Sequence, residues 1–221
     1  MKILLTGAAG QVGMSLARVL TENHQVIGFD INLPDDLDIF FQFYKHDLKT
    51  DFPEENSKDI SDANVLINCA GIGVYTDFMN RTKEELHDVL GVNCIGLILF
   101  TRDCIKYHLE KNESADFHII NISSVYGVVP PEFEIYGQSG RNSSEIYGFT
   151  KAGMINFSRY LTSYFKHSKI RANTIVLGGI FADQDADFVE KYTDMCNIRR
   201  MASTSDVVSA VNFLISSDAS Y

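Results

Sequence analysis

Positive charge is scarce in this sequence. Lys and Arg number 19 against 29 Asp and Glu, a net charge of −10, and so acidic a chain is a poor partner for the phosphate backbone of nucleic acid. Long apolar runs are missing as well. The most extended, from Val92 to Phe100, falls far short of the roughly 20 residues a membrane-spanning helix needs. The chain opens directly into strand-like sequence, without the basic and apolar regions of a signal peptide, so a cytoplasmic location and no membrane partner are expected. Cysteine is sparse. Cys69, Cys94, Cys104 and Cys196 stand far apart in no metal or redox spacing, which argues against a metal centre and for buried apolar thiols in a reducing compartment. There is no repeat, low-complexity tract or linker. One domain over residues 1–221 is therefore expected, long enough to bury a sizeable core.

What is present begins at once. Ile3, Leu4 and Leu5 read as a strand buried on both faces. Gly7, Gly10 and Gly13 follow at three-residue spacing, and Val12, Leu16, Val19 and Leu20 then recur with helical period. Strand, glycine turn and helix in that order put a helix N-terminus, with its unpaired N–H groups and partial positive charge, at the end of a buried strand. That is a seat for a pyrophosphate. A second strand, 25–29, ends at Asp30, roughly twenty residues on, where a carboxylate would accept hydrogen bonds from an adenine ribose and repel a 2′-phosphate. NAD is thus expected ahead of NADP. The plainer reading is an ordinary strand-to-helix turn with a turn-forming aspartate.

Further strands are expected at 41–45, 64–68, 117–122 and 170–176, and helices at 84–109, from about 147 to 166, and after a cap at 203–206. Only a stub of helix fits between strands two and three. Thr82-Lys83-Glu84-Glu85 is a capping box, and Asn93 falls among the inward positions of the helix it opens. Alternating strands and helices of this kind argue for a doubly wound parallel α/β sheet, whose ligands sit beyond the carboxyl ends of the strands. Asp30, Asn68, Ser124 and the segment after Val176 fall at that edge.

Tyr147 and Lys151, four residues apart, face the same side of a helix. A lysine charge favours phenolate and lowers a phenol pKa from its ordinary value near 10, which suits proton exchange with a carbonyl oxygen. Ser124 could donate to the same oxygen, and Asn93 could hold a water that links Lys151 to solvent. Each has a bland alternative: Tyr-x-x-x-Lys arises by chance, Ser124 could simply cap a turn, and Asn93 could be a satisfied core amide. Tyr136 is a decoy, its fourth follower being Gly140. The ordered coincidence of all these features is what favours chemistry.

The segments T-G-A-A-G-Q-V-G (6–13), H-D-L (46–48), N-C-A-G (68–71), V-N (92–93), I-N-I-S-S-V-Y-G (120–127) and Y-G-F-T-K (147–151) resemble the short-chain dehydrogenase/reductase family, as does the tail from Arg200. The resemblance implies a Rossmann fold with strand order 3-2-1-4-5-6. It implies hydride transfer between NAD and a small carbonyl/alcohol substrate, with Tyr147 as acid/base, Lys151 on the nicotinamide ribose, Ser124 orienting the carbonyl and Asn93 completing the tetrad. The cofactor would meet Gly7, Gly10, Gln11, Val12, Gly13 and Asp30 at one end. Asp47 and Leu48 would lie at the adenine, Ala70 and Gly71 beside the ribose, and Ile180 at the carboxamide.

Three features depart from the family pattern. The glycine spacing is that of the larger, epimerase-like branch. Leu177-Gly178 replaces Pro-Gly after the sixth strand, so the next backbone is expected to be less rigid. The chain stops at Tyr221, where a seventh strand should begin, so that strand is expected to be missing. The 22 residues from 125 to 146, with Pro130, Pro131, Phe133, Gln138 and Arg141, are longer than usual for small members. With 177–184 they look similar to reductases of surface-glycan and nonulosonic-acid sugar synthesis, which implies a sugar or sugar-nucleotide substrate. A homodimer through the 84–109 and 147–166 helices is expected. A nucleotide-sugar epimerase or dehydratase, and a non-catalytic dinucleotide sensor, are the alternatives.

Overall fold

A computed structural model describes residues 1–52, 56–112, 115–137 and 142–220; Gln138 and Arg141 lie outside the described residues. Six strands, β1 (Lys2–Thr6), β2 (Gln25–Asp30), β3 (Gln42–Lys45), β4 (Val65–Asn68), β5 (Phe117–Ser124) and β6 (Ile170–Leu177), form one sheet. Its order is β3-β2-β1-β4-β5-β6, as the sequence predicts, and every pairing is parallel. Helices cover both faces, as a parallel sheet built from crossovers requires.

The two-residue side-chain period of a strand divides the core. Ile3, Leu5, Val26, Val65, Ile67, Ile120 and Ile122 pack on α1 (Gln11–Leu20) and α7 (Thr204–Ile215). Their alternates Leu4, Ile27, Phe29, Leu66, Phe117 and Ile119 pack on α4 (Leu97–Asn112) and α5 (Glu145–Tyr164). Both faces of β1 are apolar for this reason, and Ile3, Leu4 and Leu5 are fully buried.

The expected helix at 84–109 is three pieces. Its capping box holds, with Glu85 N donating to Thr82 Oγ1 at 3.2 Å and Thr82 N to Glu85 Oε2 at 2.8 Å. From there α3 (Lys83–Leu90) runs into one wide π turn at Gly91–Gly96 before α4 starts. Gly96 is why the turn fits: a Cβ there would lie 2.4 Å from the Leu48 carbonyl. Such turns recur where a helix must aim a side chain at a site, and this one buries Asn93. Helix α5 starts at Glu145, two residues before the expected point, because Ser144 caps it. The crossover between β2 and β3 holds only a 3₁₀ turn, Leu37–Ile39. A short α2 (Ser57–Ile60) precedes β4.

Helix α6 (Ala186–Met195) is not foreseen by the sequence reading. Asp185 caps it, accepting from Phe188 N at 3.0 Å, and Phe188 and Tyr192 pack on Ile135 and Met201. Of the cysteines only Cys104 is buried; Cys69, Cys94 and Cys196 are partly exposed, and all four thiols are free. Among the described residues no helix is long and apolar enough to cross a membrane, and no three His, Cys, Asp or Glu are grouped to hold a metal ion.

Candidate active site

A cleft of about 880 Å³ runs along the carboxyl ends of the strands. One end is the glycine turn. Gly7 has φ +68°, and a Cβ on it would lie 2.7 Å from the Ala70 backbone; a Cβ on Gly13 would lie 2.0 Å from the Gly7 carbonyl. Only glycine lets β1, α1 and the 69–71 turn approach this closely. Helix α1 starts at Gly10 with no side-chain cap and no acid in its first turn. The N–H groups of Gln11 and Val12 are therefore left to a ligand, in the positive field of the helix end. Gln11 also reaches across the cleft, donating from Nε2 to the Phe181 carbonyl at 2.9 Å.

Asp30 closes β2 at the cleft. Its carboxylate accepts from Ala9 N at 3.0 Å and from Asn32 N at 2.9 Å. These bonds fix both oxygens and leave further lone pairs free. Asp47 and Leu48 line the same end, Asp47 holding its own turn through Lys49 N at 2.9 Å. Ala70 and Gly71 form the floor beside β4, where Thr6 Oγ1 accepts from Cys69 N and Ala70 N at 3.2 Å each.

The other end gathers Ser124, Tyr147 and Lys151. Ser124 ends β5 on the same cleft lining as Tyr147, its Oγ accepting from Tyr126 N at 3.3 Å. Tyr147 stands in the first turn of α5, its N–H donating to Ser144 Oγ at 3.3 Å. Lys151, 4% exposed, donates from Nζ to the Ile122 carbonyl at 2.9 Å and lies 5.5 Å from the centre of the Tyr147 ring. Burial lowers the Lys151 pKa.

The Tyr147 phenol departs from the sequence expectation of a lowered pKa. Burial raises it, against a smaller lowering by the Ser124 hydrogen bond. The protein groups alone therefore keep this phenol protonated. Beside them, burial pushes the Cys69 thiol up to about 11.

Asn93 does not line the cleft. Its Oδ1 accepts from Ile72 N at 2.8 Å, and Nδ2 donates to Ile72 O at 2.9 Å and Thr150 Oγ1 at 3.1 Å. Both amide hydrogens are used within the protein, and Oδ1 keeps one lone pair. The side chain ties the 71–73 backbone to α5. Asn68 is likewise turned from the ligand edge, because Asn68 Nδ2 donates to Thr101 Oγ1 at 3.0 Å and Asn121 Oδ1 at 2.8 Å in the helix layer.

Ile180 lines the cleft, and the segment without its proline is pinned by other means. Ile180 bridges to Ala202, Phe181 N donates to Ala202 O at 2.8 Å, and Gly179 N donates to the Tyr192 phenol. The roles of Thr150, Ile122 and Tyr192 had no sequence signal; a hydroxyl next to Lys151 and a backbone carbonyl are recognisable only in three dimensions.

The residues present fit a nicotinamide dinucleotide. The glycine cradle would be filled by any Cβ, the bare helix end takes a pyrophosphate, and the cleft joins these to the tyrosine and lysine. Fold and cleft together define a dinucleotide-dependent oxidoreductase.

Comparison with known proteins narrows the class. The sequence model of the family described as enoyl-(acyl carrier protein) reductase matches residues 50–221. The post-translational flagellin modification protein A of Campylobacter coli is 25% identical over 99% of this chain and 92% of its own length. The 3-oxoacyl-[acyl-carrier-protein] reductase of Bos taurus is 28% identical over 78% of this chain and 68% of its own. A short-chain dehydrogenase from Leptospira borgpetersenii, solved with bound NAD+, superposes with a TM-score of 0.89 at 35% identity, covering 100% of this chain and 87% of that one. The chain belongs to the short-chain dehydrogenase/reductase family. It is an oxidoreductase whose cofactor is a nicotinamide dinucleotide.

Proposed function

We propose that this enzyme exchanges a hydride between NAD(H) and the carbonyl/alcohol carbon of a small molecule, and that Tyr147 exchanges the proton. The observation that carries this reading is the meeting of Ser124, Tyr147 and Lys151 on one wall of the cleft that Asp30 closes at its far end. When bound, the nicotinamide supplies the hydride-exchanging carbon.

The chain's own groups do the rest. Ser124 donates to the substrate oxygen and fixes it within reach of the Tyr147 hydroxyl. Tyr147 gives its proton to that oxygen in reduction and takes it back in oxidation. Lys151, held by the Ile122 carbonyl, stabilises phenolate as it forms and binds ribose hydroxyls. The partial positive charge of the α5 N-terminus acts in the same direction. Asn93 acts through the backbone at Ile72 and through Thr150, holding the cleft floor to α5. Gly7, Gly10, Gln11, Val12 and Gly13 receive the pyrophosphate. Asp47 and Leu48 flank the adenine, Ala70 and Gly71 pass the ribose, and Ile180 meets the carboxamide. Asp30 accepts from the adenine ribose and repels a 2′-phosphate, which favours NAD over NADP. A cytoplasmic location and a homodimer complete the reading.

For the substrate we favour a sugar or sugar nucleotide. A likeness to a flagellin-modification protein along nearly the whole chain supports it. The competing class, a 3-oxoacyl thioester, has its support in the bovine relative. A panel of sugars, sugar nucleotides, simple ketones and 3-oxoacyl thioesters, assayed with NADH and NADPH, decides between them. Turnover of a sugar derivative with NADH is expected. Turnover of thioesters or simple ketones alone would defeat the sugar reading. Tyr147→Phe should cost about 10²- to 10⁴-fold in kcat while NADH fluorescence still reports binding; an active phenylalanine variant would refute the assignment of the proton to Tyr147.

A further inference from the structure

The geometry points to a carboxylate subsite at Arg81, in a second pocket beside the catalytic cleft, that receives an acid group of the carbonyl substrate. The inference rests on the hydride-transfer reading above and names the class of molecule that the reading leaves open.

The pocket holds about 400 Å³. Phe78, Val128, Pro131, Phe133 and Phe149 give it apolar walls, and Arg81 supplies the cation. Tyr126, Asn142, Ser143 and Ser144 line both this pocket and the catalytic cleft, so the two are neighbours across one shared wall. Ser144 caps α5, and Tyr147 lies one turn further on. Ser144 on the shared wall and Tyr147 on the cleft wall are one turn of α5 apart, on the order of 5 Å of helix, so a short-chain oxo acid is the class of molecule that would engage both.

The Arg81 side chain is 4% exposed, yet Nε, Nη1 and Nη2 all lack a hydrogen-bond partner. Among the described residues its ion pair is with Glu145 Oε1, 3.4 Å from Nε, on a side chain that is itself 40% exposed, while Glu85 feels the same charge from further off. Exposed arginines here do better: Arg200 grips Asp206 through two bonds of 2.7 and 2.8 Å. A buried guanidinium without hydrogen bonds is costly, and it is kept where a partner completes it. The planar fork of Nη1 and Nη2 matches a carboxylate through two parallel bonds. Among the described lining residues Arg81 is the one cation, and Glu145 offsets part of its charge, so a monoanion is better matched than a dianion. The N-terminus of α5, at Ser144 and Glu145, adds partial positive charge on the same side.

The test pairs acids with their esters. NADH-dependent reduction of 4-oxopentanoate, 5-oxohexanoate and a ketohexonate is compared with reduction of their methyl esters, in the wild type and in Arg81→Met and Arg81→Lys. The same acids are titrated into the NADH-loaded protein by calorimetry. The wild type should prefer acid to ester by about 10- to 100-fold in kcat/KM, the worth of a charged hydrogen-bonded pair. Arg81→Met should bring that ratio near one, and Arg81→Lys should restore part of it. The melting temperature of Arg81→Met should hold or rise, because an apolar chain replaces a buried guanidinium that makes no hydrogen bond and only one long ion pair, to a half-exposed Glu145.

Equal use of acid and ester by the wild type, or a preference kept in Arg81→Met, would overturn the subsite. A variant that melts early or loses its dimer would instead make Arg81 a structural or interface group and overturn it too. If no carbonyl in the panel is turned over, calorimetry still decides: acid binding that depends on Arg81 upholds the subsite while the hydride-transfer reading fails, and no acid binding overturns the subsite.

Discussion

At the scale of single residues, the site opposes two effects on one phenol. Burial raises the Tyr147 pKa, and a hydrogen bond from Ser124 lowers it by less. A phenol above its ordinary value is protonated at neutral pH and is ready to donate. The consequence has a definite sign in each direction of reaction. Carbonyl reduction should be independent of pH through neutrality and fall about tenfold per unit once the pH passes the phenol pKa. Alcohol oxidation needs phenolate, so its rate should rise with pH over the same range. Profiles of kcat/KM from pH 6 to 10 check this: reduction should stay flat across the range while oxidation rises throughout it. A reduction rate that already falls between pH 6 and 8 would mean that the Lys151 charge, not burial, sets the proton affinity of Tyr147.

At the scale of elements, one buried polar chain fixes how the site-bearing helices sit on the sheet. Thr101 of α4 meets Asn68 of β4; Asn68 meets Asn121 of β5; Asn121 Nδ2 donates to Ser158 of α5 at 2.8 Å; and Ser158 meets Thr174 of β6 at 2.6 Å. Thr101, Asn68, Asn121 and Ser158 are all buried. The chain therefore sets the register of α5, and with it Tyr147 and Lys151, by directional bonds as well as by packing. Asn121→Ala leaves the Asn68 amide and the Ser158 hydroxyl short of a partner, at about 1–3 kcal/mol each. Urea unfolding should show that loss, and a cost below about 1 kcal/mol would mean that water replaces the amide.

The elements also show what a sequence carries and what it does not. The six strands and their order were legible because each is a short apolar run between turn signals, and a parallel sheet buries such runs on both faces. Gly7, Gly13 and Asp30 were legible because their roles are local to one turn. Asn93 was legible as an inward amide and Asn68 as a polar group at a strand end, but their partners Thr150, Thr101 and Asn121 are far away in sequence, so their orientations were not. Helix α6 was missed because its apolar face is short, with Phe188, Val189 and Tyr192 packing only on Ile135, Tyr136 and Met201. The break at Gly91–Gly96 was hidden because its cause, the Leu48 carbonyl, lies on another element.

For the whole molecule the open matter is surface. The chain exposes 11980 Å², whereas a folded monomer of 24.8 kDa should expose roughly 10,200 Å². The excess, about 1,800 Å², is roughly twice the ~800 Å² that one standard interface covers on each partner, so the open cleft accounts for part of it and leaves room for an interface. Large apolar side chains mark where it lies. Ile95 and Ile98, where the π turn meets α4, are 56% and 44% exposed, and Phe149, Tyr160 and Tyr164 of α5 are 67%, 57% and 68% exposed. Helices α4 and α5 pack on the same face of the sheet, so these residues belong to one side of the molecule. Aromatic and aliphatic groups gathered on one face are the usual centre of an interface between copies. Light scattering at micromolar concentration should therefore give twice the chain mass, and Tyr160→Glu together with Ile98→Glu should give the single mass with the far-ultraviolet dichroism retained. A wild type that stays monomeric would mean that these helices face solvent or another partner. A dimer through this face would have a consequence for the site, because α5 carries Tyr147 and Lys151 on its inner side and the exposed Phe149, Tyr160 and Tyr164 on its outer side. A dissociated variant should bind NADH nearly as well, since Asp30 and the glycine turn lie across the sheet from that interface. Its kcat should fall, since the outer side of α5 would then lose its support while the inner side keeps only its bonds to Asn93, Ile122 and Asn121 and its packing on the sheet.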